Sequence, residues 1–257
     1  MKEGQKLWTR EELILAINLY CKIPFGKIHH GNPMIISLAS LIKRTPSSVA
    51  LKLSNFASFD PSLQARGIRG ASNASKLDLA IWNEFYEHWD SKPFESEQLL
   101  AKFKHTTIED SNAIDEADIH REGKTREQII KSRVNQNFFR LMIMAAYNNK
   151  CCITGLQIPD LLIAGHISPW GKDKKNRLNP RNGIAINALH DRAFEAGLIT
   201  ITPNYLIKVS PILNSQKDNS EVASFFLKYH DKSIHLPSRF LPDPEFLKYH
   251  NNERFIK

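Results

Sequence analysis

Long apolar runs are missing from this chain. No stretch of about 18 apolar residues occurs, so a membrane-spanning helix is not expected. Cysteine is scarce: Cys21, Cys151 and Cys152 are odd in number, and two are neighbours, so a disulfide framework does not fit and a reducing compartment does. Met1-Lys2-Glu3-Gly4-Gln5 lacks the apolar core of a signal peptide, and the chain is expected to be untargeted and cytoplasmic. Internal repeats and low-complexity tracts are also lacking. Acidic residues fall short of basic ones, leaving a net charge of +8 and a pI near 9.3. That surplus favours polyanionic partners, because each phosphate met by Lys or Arg releases condensed counterions.

What remains is an ordinary apolar fraction, 42% of 257 residues, enough for one large domain or two modest ones. Residues 1–92 read as a helical, DNA-binding domain, 93–123 as a linker, and 124–257 as a second domain with a C-terminal extension. Trp8-Thr9-Arg10-Glu11-Glu12 is a helix start, with Thr9 as cap and Glu12 closing a capping box. Ile35, Leu38, Leu41 and Ile42 then share one helical face. Thr45 caps the next helix, Pro46 takes its first position, and Val49 and Leu53 form its inner stripe. Lys43, Arg44, Ser47, Ser48 and Lys52 are left toward solvent. Two short helices with a tight turn fit a helix-turn-helix whose second helix enters a major groove, and equally an ordinary helical hairpin.

Leu77, Ile81, Trp82, Phe85, Tyr86 and Trp89 read as the buried side of a further helix. The acid-rich connection with Glu109, Asp110, Asp115, Glu116 and Asp118 has few large apolar groups to bury. A long basic helix is expected from Lys124 to about Tyr147. Ile199–Thr202 and Tyr205–Val209 read as two strands joined at Pro203-Asn204. The last forty or so residues look ordered, with no obvious chemistry.

The informative stretch lies between. Leu161-Leu-Ile-Ala-Gly-His166-Ile-Ser-Pro-Trp170 is a short apolar strand that delivers one histidine to its exit. A basic loop follows, with Lys172, Lys174, Lys175, Arg177 and Arg181. Asn182-Gly183 turns into the strand Ile184-Ala185-Ile186, and Leu189–Ala196 is helical, with Gly197 suited to the C-terminal cap. The order is strand, loop, strand, helix.

These residues closely resemble the HNH endonuclease family, in the branch of bacterial putative restriction and defence nucleases. The matching pieces are Cys152-Ile-Thr-Gly155, Leu161-Leu162, Gly165-His-Ile-Ser-Pro-Trp170, Arg177, Asn182-Gly183 and His190-Asp-Arg-Ala-Phe-Glu-Ala-Gly-Leu198. Arg133–Arg140 and Ala145–Tyr147 fit as well, and Trp8-Thr9, Arg44-Thr-Pro46 and Leu53-Ser-Asn-Phe56 fit more loosely. The resemblance implies an α+β protein: a helical N-terminal domain, with or without a helix-turn-helix, and a ββα-metal HNH nuclease domain. It implies His166 as general base, taking a proton from the attacking water. Asn182 would tie the loop to the hairpin. Asp191 and Glu195, one helical turn apart, would bind one Mg²⁺ or Mn²⁺, with His190 as the ligand in place of Asp191 if the register shifts by one. Products would carry 5′-phosphate and 3′-hydroxyl ends.

Many members place Asp or His just before the base, where this chain has Gly165. No structural zinc is expected, since the second cysteine pair of zinc-stapled members is missing. The basic loop is expected against the backbone of double-stranded DNA, and Arg44, Ser47, Ser48 and Lys52 in the groove. Three readings stay open: a DNA endonuclease of restriction or defence type, active as a homodimer or by successive nicks; a DNA-binding regulator with a degenerate HNH fold; and a nuclease effector whose N-terminal domain senses another partner.

Overall fold

A computed structural model describes residues 6–68, 74–115, 125–169, 171, 173 and 175–257. The fold is α+β, and packing divides the chain into two units, Met1–Met142 and Ile143–Lys257. Among the described residues, no helix is long and apolar enough to cross a membrane.

The first unit is all helix. Helix α1 (Arg10–Lys22) starts at Thr9, whose hydroxyl accepts from the Glu12 amide while the Glu12 carboxylate accepts from the Thr9 amide, the expected capping box. Helices α2 (Pro33–Leu41) and α3 (Pro46–Ala57) follow, each with proline in its first turn behind a capping Asn32 or Thr45. Ile35, Leu38, Val49, Leu53 and Phe56 are buried on their inner faces. Helix α4 (Pro61–Ala65) is short, and α5 (Lys76–Glu87) buries Ile81, Trp82 and Phe85, as their spacing predicts.

The span expected as a linker is folded where it is described. Helix α6 (Lys92–Phe103) packs on α1, with Ser96 and Glu97 buried. Asn18 donates to Ser96 Oγ at 2.7 Å and to Glu97 Oε1 at 2.6 Å, and Lys22 pairs with Glu97. Helix α7 (Ile108–Ser111) comes next. Phe94, Ile108 and Ile114 lie partly buried against Ile130 and Val134. A few apolar side chains, spaced widely among acids, suffice to fold this stretch because a neighbouring helix offers them a surface. Glu116, Asp118 and Lys124 lie outside the described residues. Helix α8 (Arg126–Ala146) runs across the division between the units.

In the second unit, β1 (Leu162–His166) and β2 (Gly183–Asn187) form an antiparallel hairpin that pairs Gly165 with Ile184 and His166 with Gly183. Every residue of β2 from Gly183 to Ile186 is buried, so both faces of this strand are covered, as its unbroken apolar run Ile184-Ala185-Ile186 implies. Helix α9 (Ala188–Glu195) follows directly, capped by Asn187, whose side chain accepts from the His190 amide. A second small sheet pairs β3 (Ile199–Ile201) with β4 (Ile207–Val209). Short helices α10 (Pro211–Asn214) and α11 (Ser220–Phe225) lead to α12 (Pro244–Glu253), which packs on β3. Gly197, at φ +73°, ends α9 in the left-handed conformation that favours glycine.

Candidate active site

His166 is the last residue of β1, and it enters a recess of about 210 Å³ lined also by Gly165, Asp191, Glu195, His250 and Arg254. Its Nε2 lies 2.9 Å from the Arg177 carbonyl. A carbonyl only accepts, so Nε2 carries the hydrogen and Nδ1 is the basic nitrogen of the neutral ring. Burial lowers the ring below the usual histidine value, and the Arg177 charge adds to this against the opposing effect of the carbonyl bond. The imidazole therefore stays neutral at pH 7.

Asn182 is buried between the loop and the hairpin. Its Oδ1 accepts from the Ser168 amide at 2.7 Å, and its Nδ2 donates to the carbonyls of Ser168 and Asn176 at 3.2 and 3.3 Å. Its side chain ties the chain just after His166 to the loop at Asn176, and it does not line the recess.

Asp191 and Glu195 face the recess from one side of α9. Asp191 is half-buried, and burial, followed by the charge of Glu195, pushes its carboxyl up to about 6. Glu195 is exposed and lies 3.7 Å from Arg192. Gly165 belongs to this arrangement. A Cβ built there would come 2.7 Å from Asp191 Oδ1 and 3.3 Å from the Ile186 side chain. The Asp191 carboxylate occupies the space that a larger residue before His166 would need.

His190 is turned away from the recess. It is buried, its Nε2 lies 2.8 Å from the Phe225 carbonyl and its Nδ1 3.0 Å from Asn187 Oδ1, and its ring rests against Phe226 and Tyr229. Nε2 donates to the Phe225 carbonyl and the ring is packed away from the recess, so the one-residue shift that would make His190 a ligand is not what the helix adopts.

Two of the four residues expected on the groove face of α3 point inward instead. The Lys52 ammonium is buried against both Asp78 oxygens, at 2.9 and 2.8 Å. Arg44 donates to Glu12 at 2.7 Å and to the carbonyls of Lys6 and Leu7, with Trp8 4.2 Å from its guanidinium. Helical periodicity leaves Lys52 near the edge of the apolar stripe, and the buried carboxylates of Asp78 and Glu12 draw both cations in. Ser47 is exposed and Ser48 half-buried. Lys52 is the only cation within α3, so its outer face, with Ser47 and Leu51, is uncharged.

Along the loop after β1, Lys175 is exposed and Arg177 half-buried, while Arg181 pairs with Asp243 at 3.1 Å. Lys172, Lys174 and Trp170 lie outside the described residues.

The C-terminal stretch, expected to carry no chemistry, supplies two residues of the recess. His250, on α12, stacks on Phe194 with ring centroids 3.6 Å apart. Its Nε2 donates to the Phe194 carbonyl at 3.1 Å, and its Nδ1 accepts from the Thr200 hydroxyl at 2.7 Å. Burial drives this imidazole down to about 4. Arg254 follows α12, and its Nη2 donates to the Glu195 carbonyl at 2.6 Å. Asp243-Pro244 signals the start of α12 locally, but nothing local in the sequence says that the helix returns to α9.

Cys151 and Cys152 are buried at the base of the hairpin; the Cys152 amide donates to Ala185, and Cys151 Sγ accepts from the Thr154 and Asn187 amides. Among the described residues, no group of three or more His, Cys, Asp or Glu side chains is gathered to hold a metal. Asp191 and Glu195 nevertheless fit a hard cation: they are two crowded carboxylates, and Asp191 has no ion-pair partner among the described residues.

No curated protein matches the chain. Residues 151–202 match a family model described as HNH endonuclease, a segment that holds both strands of the hairpin, α9 and β3. His166, Asn182, Asp191 and Glu195 all lie inside that segment, which is similar to the HNH endonuclease family and points to a nuclease-type function.

Proposed function

We propose that this chain is a metal-dependent DNA endonuclease that hydrolyses phosphodiester bonds with His166 as general base. One observation carries the reading: the hairpin and the helix after it bring His166, Asp191 and Glu195 to a single recess. His166, held by the Arg177 carbonyl through Nε2, presents a basic nitrogen that takes the proton of a water attacking phosphorus. Asn182 keeps the chain at Ser168 in place, and so fixes where that nitrogen sits. Asp191 and Glu195 would hold Mg²⁺ or Mn²⁺, the remaining positions filled by water and phosphate oxygens. Such an ion, when bound, offsets charge on the phosphate and on the departing 3′ oxygen.

Double-stranded DNA is the proposed substrate, supported by the net charge of +8 and by the exposed Lys175 on the loop that follows β1. A restriction or defence role, with a homodimer or two successive nicks making the double-strand break, extends the same reading. The regulator alternative drew on Gly165 as a lost ligand. The tight approach of Asp191 Oδ1 to that position gives the glycine a purpose and favours the enzyme.

The test is incubation of purified protein with supercoiled plasmid and Mg²⁺ or Mn²⁺, beside an EDTA control and His166→Ala. Conversion to nicked or linear DNA is expected for the wild type with metal only. Binding without cutting under every metal condition would leave the regulator standing.

A further inference from the structure

The family segment ends at residue 202, yet the recess does not. Of the described residues that line it, Arg254 is the one lysine or arginine, set beside the carboxylates of Asp191 and Glu195. Without a bound ion two carboxylates repel the phosphodiester that the site must admit, and a protein cation beside them favours its approach. Arg254 makes no ion pair with either of them among the described residues; Glu195 lies near Arg192 instead. Its side chain donates once, from Nη2 to the Glu195 backbone carbonyl, which holds the guanidinium in place without cancelling its charge. An arginine has five N–H donors in a planar fork suited to phosphate oxygens.

The backbone beneath this side chain is fixed with unusual closeness. A Cβ built on Gly197 would lie 2.0 Å from the Arg254 carbonyl oxygen, so only glycine lets the two segments meet. The Ile256 amide donates to the Gly197 carbonyl at 3.0 Å, Asn251 Nδ2 to Ile201 at 2.7 Å, and the Arg254 amide to His250 at 3.1 Å. His250 in turn grips the Phe194 carbonyl, one residue before Glu195. The C-terminal helix is thus bonded to the turn of α9 that carries Glu195, and Arg254 sits at the join.

We infer that Arg254 is the phosphate-binding residue of this recess, taking the non-bridging oxygens of the scissile phosphodiester. The inference rests on the nuclease reading. Its chemistry is a charge-assisted, two-donor contact to one phosphate, present before any bond breaks, so it is visible in binding as well as in cleavage.

The experiment measures binding of a fluorescein-labelled duplex by anisotropy across a potassium chloride series in EDTA, and cleavage of the same duplex with Mg²⁺. It compares wild type, Arg254→Gln and Arg254→Lys. Glutamine removes the charge and, two bonds shorter, also the bond to the Glu195 carbonyl, so the salt slope is the discriminating readout: loss of a purely structural bond leaves it unchanged. With a phosphate contact, Arg254→Gln weakens binding several-fold and lowers the slope of log affinity against log salt by about 0.9. Arg254→Lys keeps the slope but cleaves roughly tenfold more slowly, because the fork is gone. Matching thermal melts confirm that the variants are folded; should Arg254→Gln fail to fold, the cleavage rate of Arg254→Lys decides. An unchanged slope in folded Arg254→Gln, or full-rate cleavage by Arg254→Lys, overturns the inference while wild-type cutting keeps the nuclease reading intact. A wild type that neither binds nor cuts overturns both.

Discussion

Charged side chains do different work in the two units. In the helical unit they are matched: Lys52 with Asp78, Arg44 with Glu12, Lys22 with Glu97, all at low exposure. Such pairs are consumed by the fold, and their partners complete them. In the second unit, Asp191 and Glu195 are set near each other at the edge of a recess, with a half-buried imidazole opposite, and Asp191 is raised to about 6. Compensated charge marks architecture; like charge left crowded in a cleft marks a place where something else binds. The comparison also separates two meanings of a basic protein, since part of its positive charge is locked inside.

The largest effect expected is on chemistry alone. His166→Ala should lower cleavage by roughly 10²–10⁴-fold, the usual contribution of a general base, while the melting temperature moves little. A rate loss of less than tenfold would break the contrast drawn here. Next in size, Lys52→Ala leaves Asp78 buried without its cation and should cost about 3–5 kcal/mol of stability, read by urea denaturation. Its cleavage rate, measured where the variant is folded, should match the wild type; a selective loss of DNA binding instead would put Lys52 back on a recognition surface.

A smaller effect comes from His250, whose ring is neutral in the folded chain down to about pH 4 but gains a proton near 6.5 when unfolded. Folding is therefore undisturbed above pH 6.5 and loses stability as the pH falls from there toward 4, by roughly 3 kcal/mol at about 1.4 per pH unit. His250→Gln should remove that part of the acid sensitivity, which parallel denaturation curves at several pH values would detect. Smallest is Gly165→Ala. Its added methyl meets Asp191 Oδ1, at a cost of about 1–3 kcal/mol from overpacking, and the Mg²⁺ concentration for half-maximal cleavage should rise. If the alanine variant cuts at the same Mg²⁺ concentration, the glycine has no bearing on the carboxylate.

Local rules carried the sequence reading a long way. Thr9 with Glu12, Thr45 with Pro46, and Asn182 with Gly183 are short-range signals, and each sits where its own backbone needs it. The order strand, loop, strand, helix was legible for the same reason, as was the meeting of His166 with Asp191 and Glu195, because one hairpin and one turn of helix connect them. Long-range choices were not. The inward turn of Lys52 and Arg44 depends on buried acids 26 and 32 residues away. The folding of residues 92–111 depends on α1 and α8. Which of His190 and Asp191 faces the recess turned on a backbone phase that spacing leaves open, and the arrival of His250 and Arg254 on a contact some 56 to 59 residues apart.

The meeting of Gly197 with the Arg254 carbonyl has a consequence for how this unit comes apart. A helix that threads back to the motif makes function depend on an element outside it. Fraying of α12 would strip the recess of a wall while β1 and β2 remain zipped. Inactivation by heat or by a carboxypeptidase should then run ahead of global melting, and a minimal fragment trimmed at the motif's edge would keep its hairpin yet be missing the guanidinium.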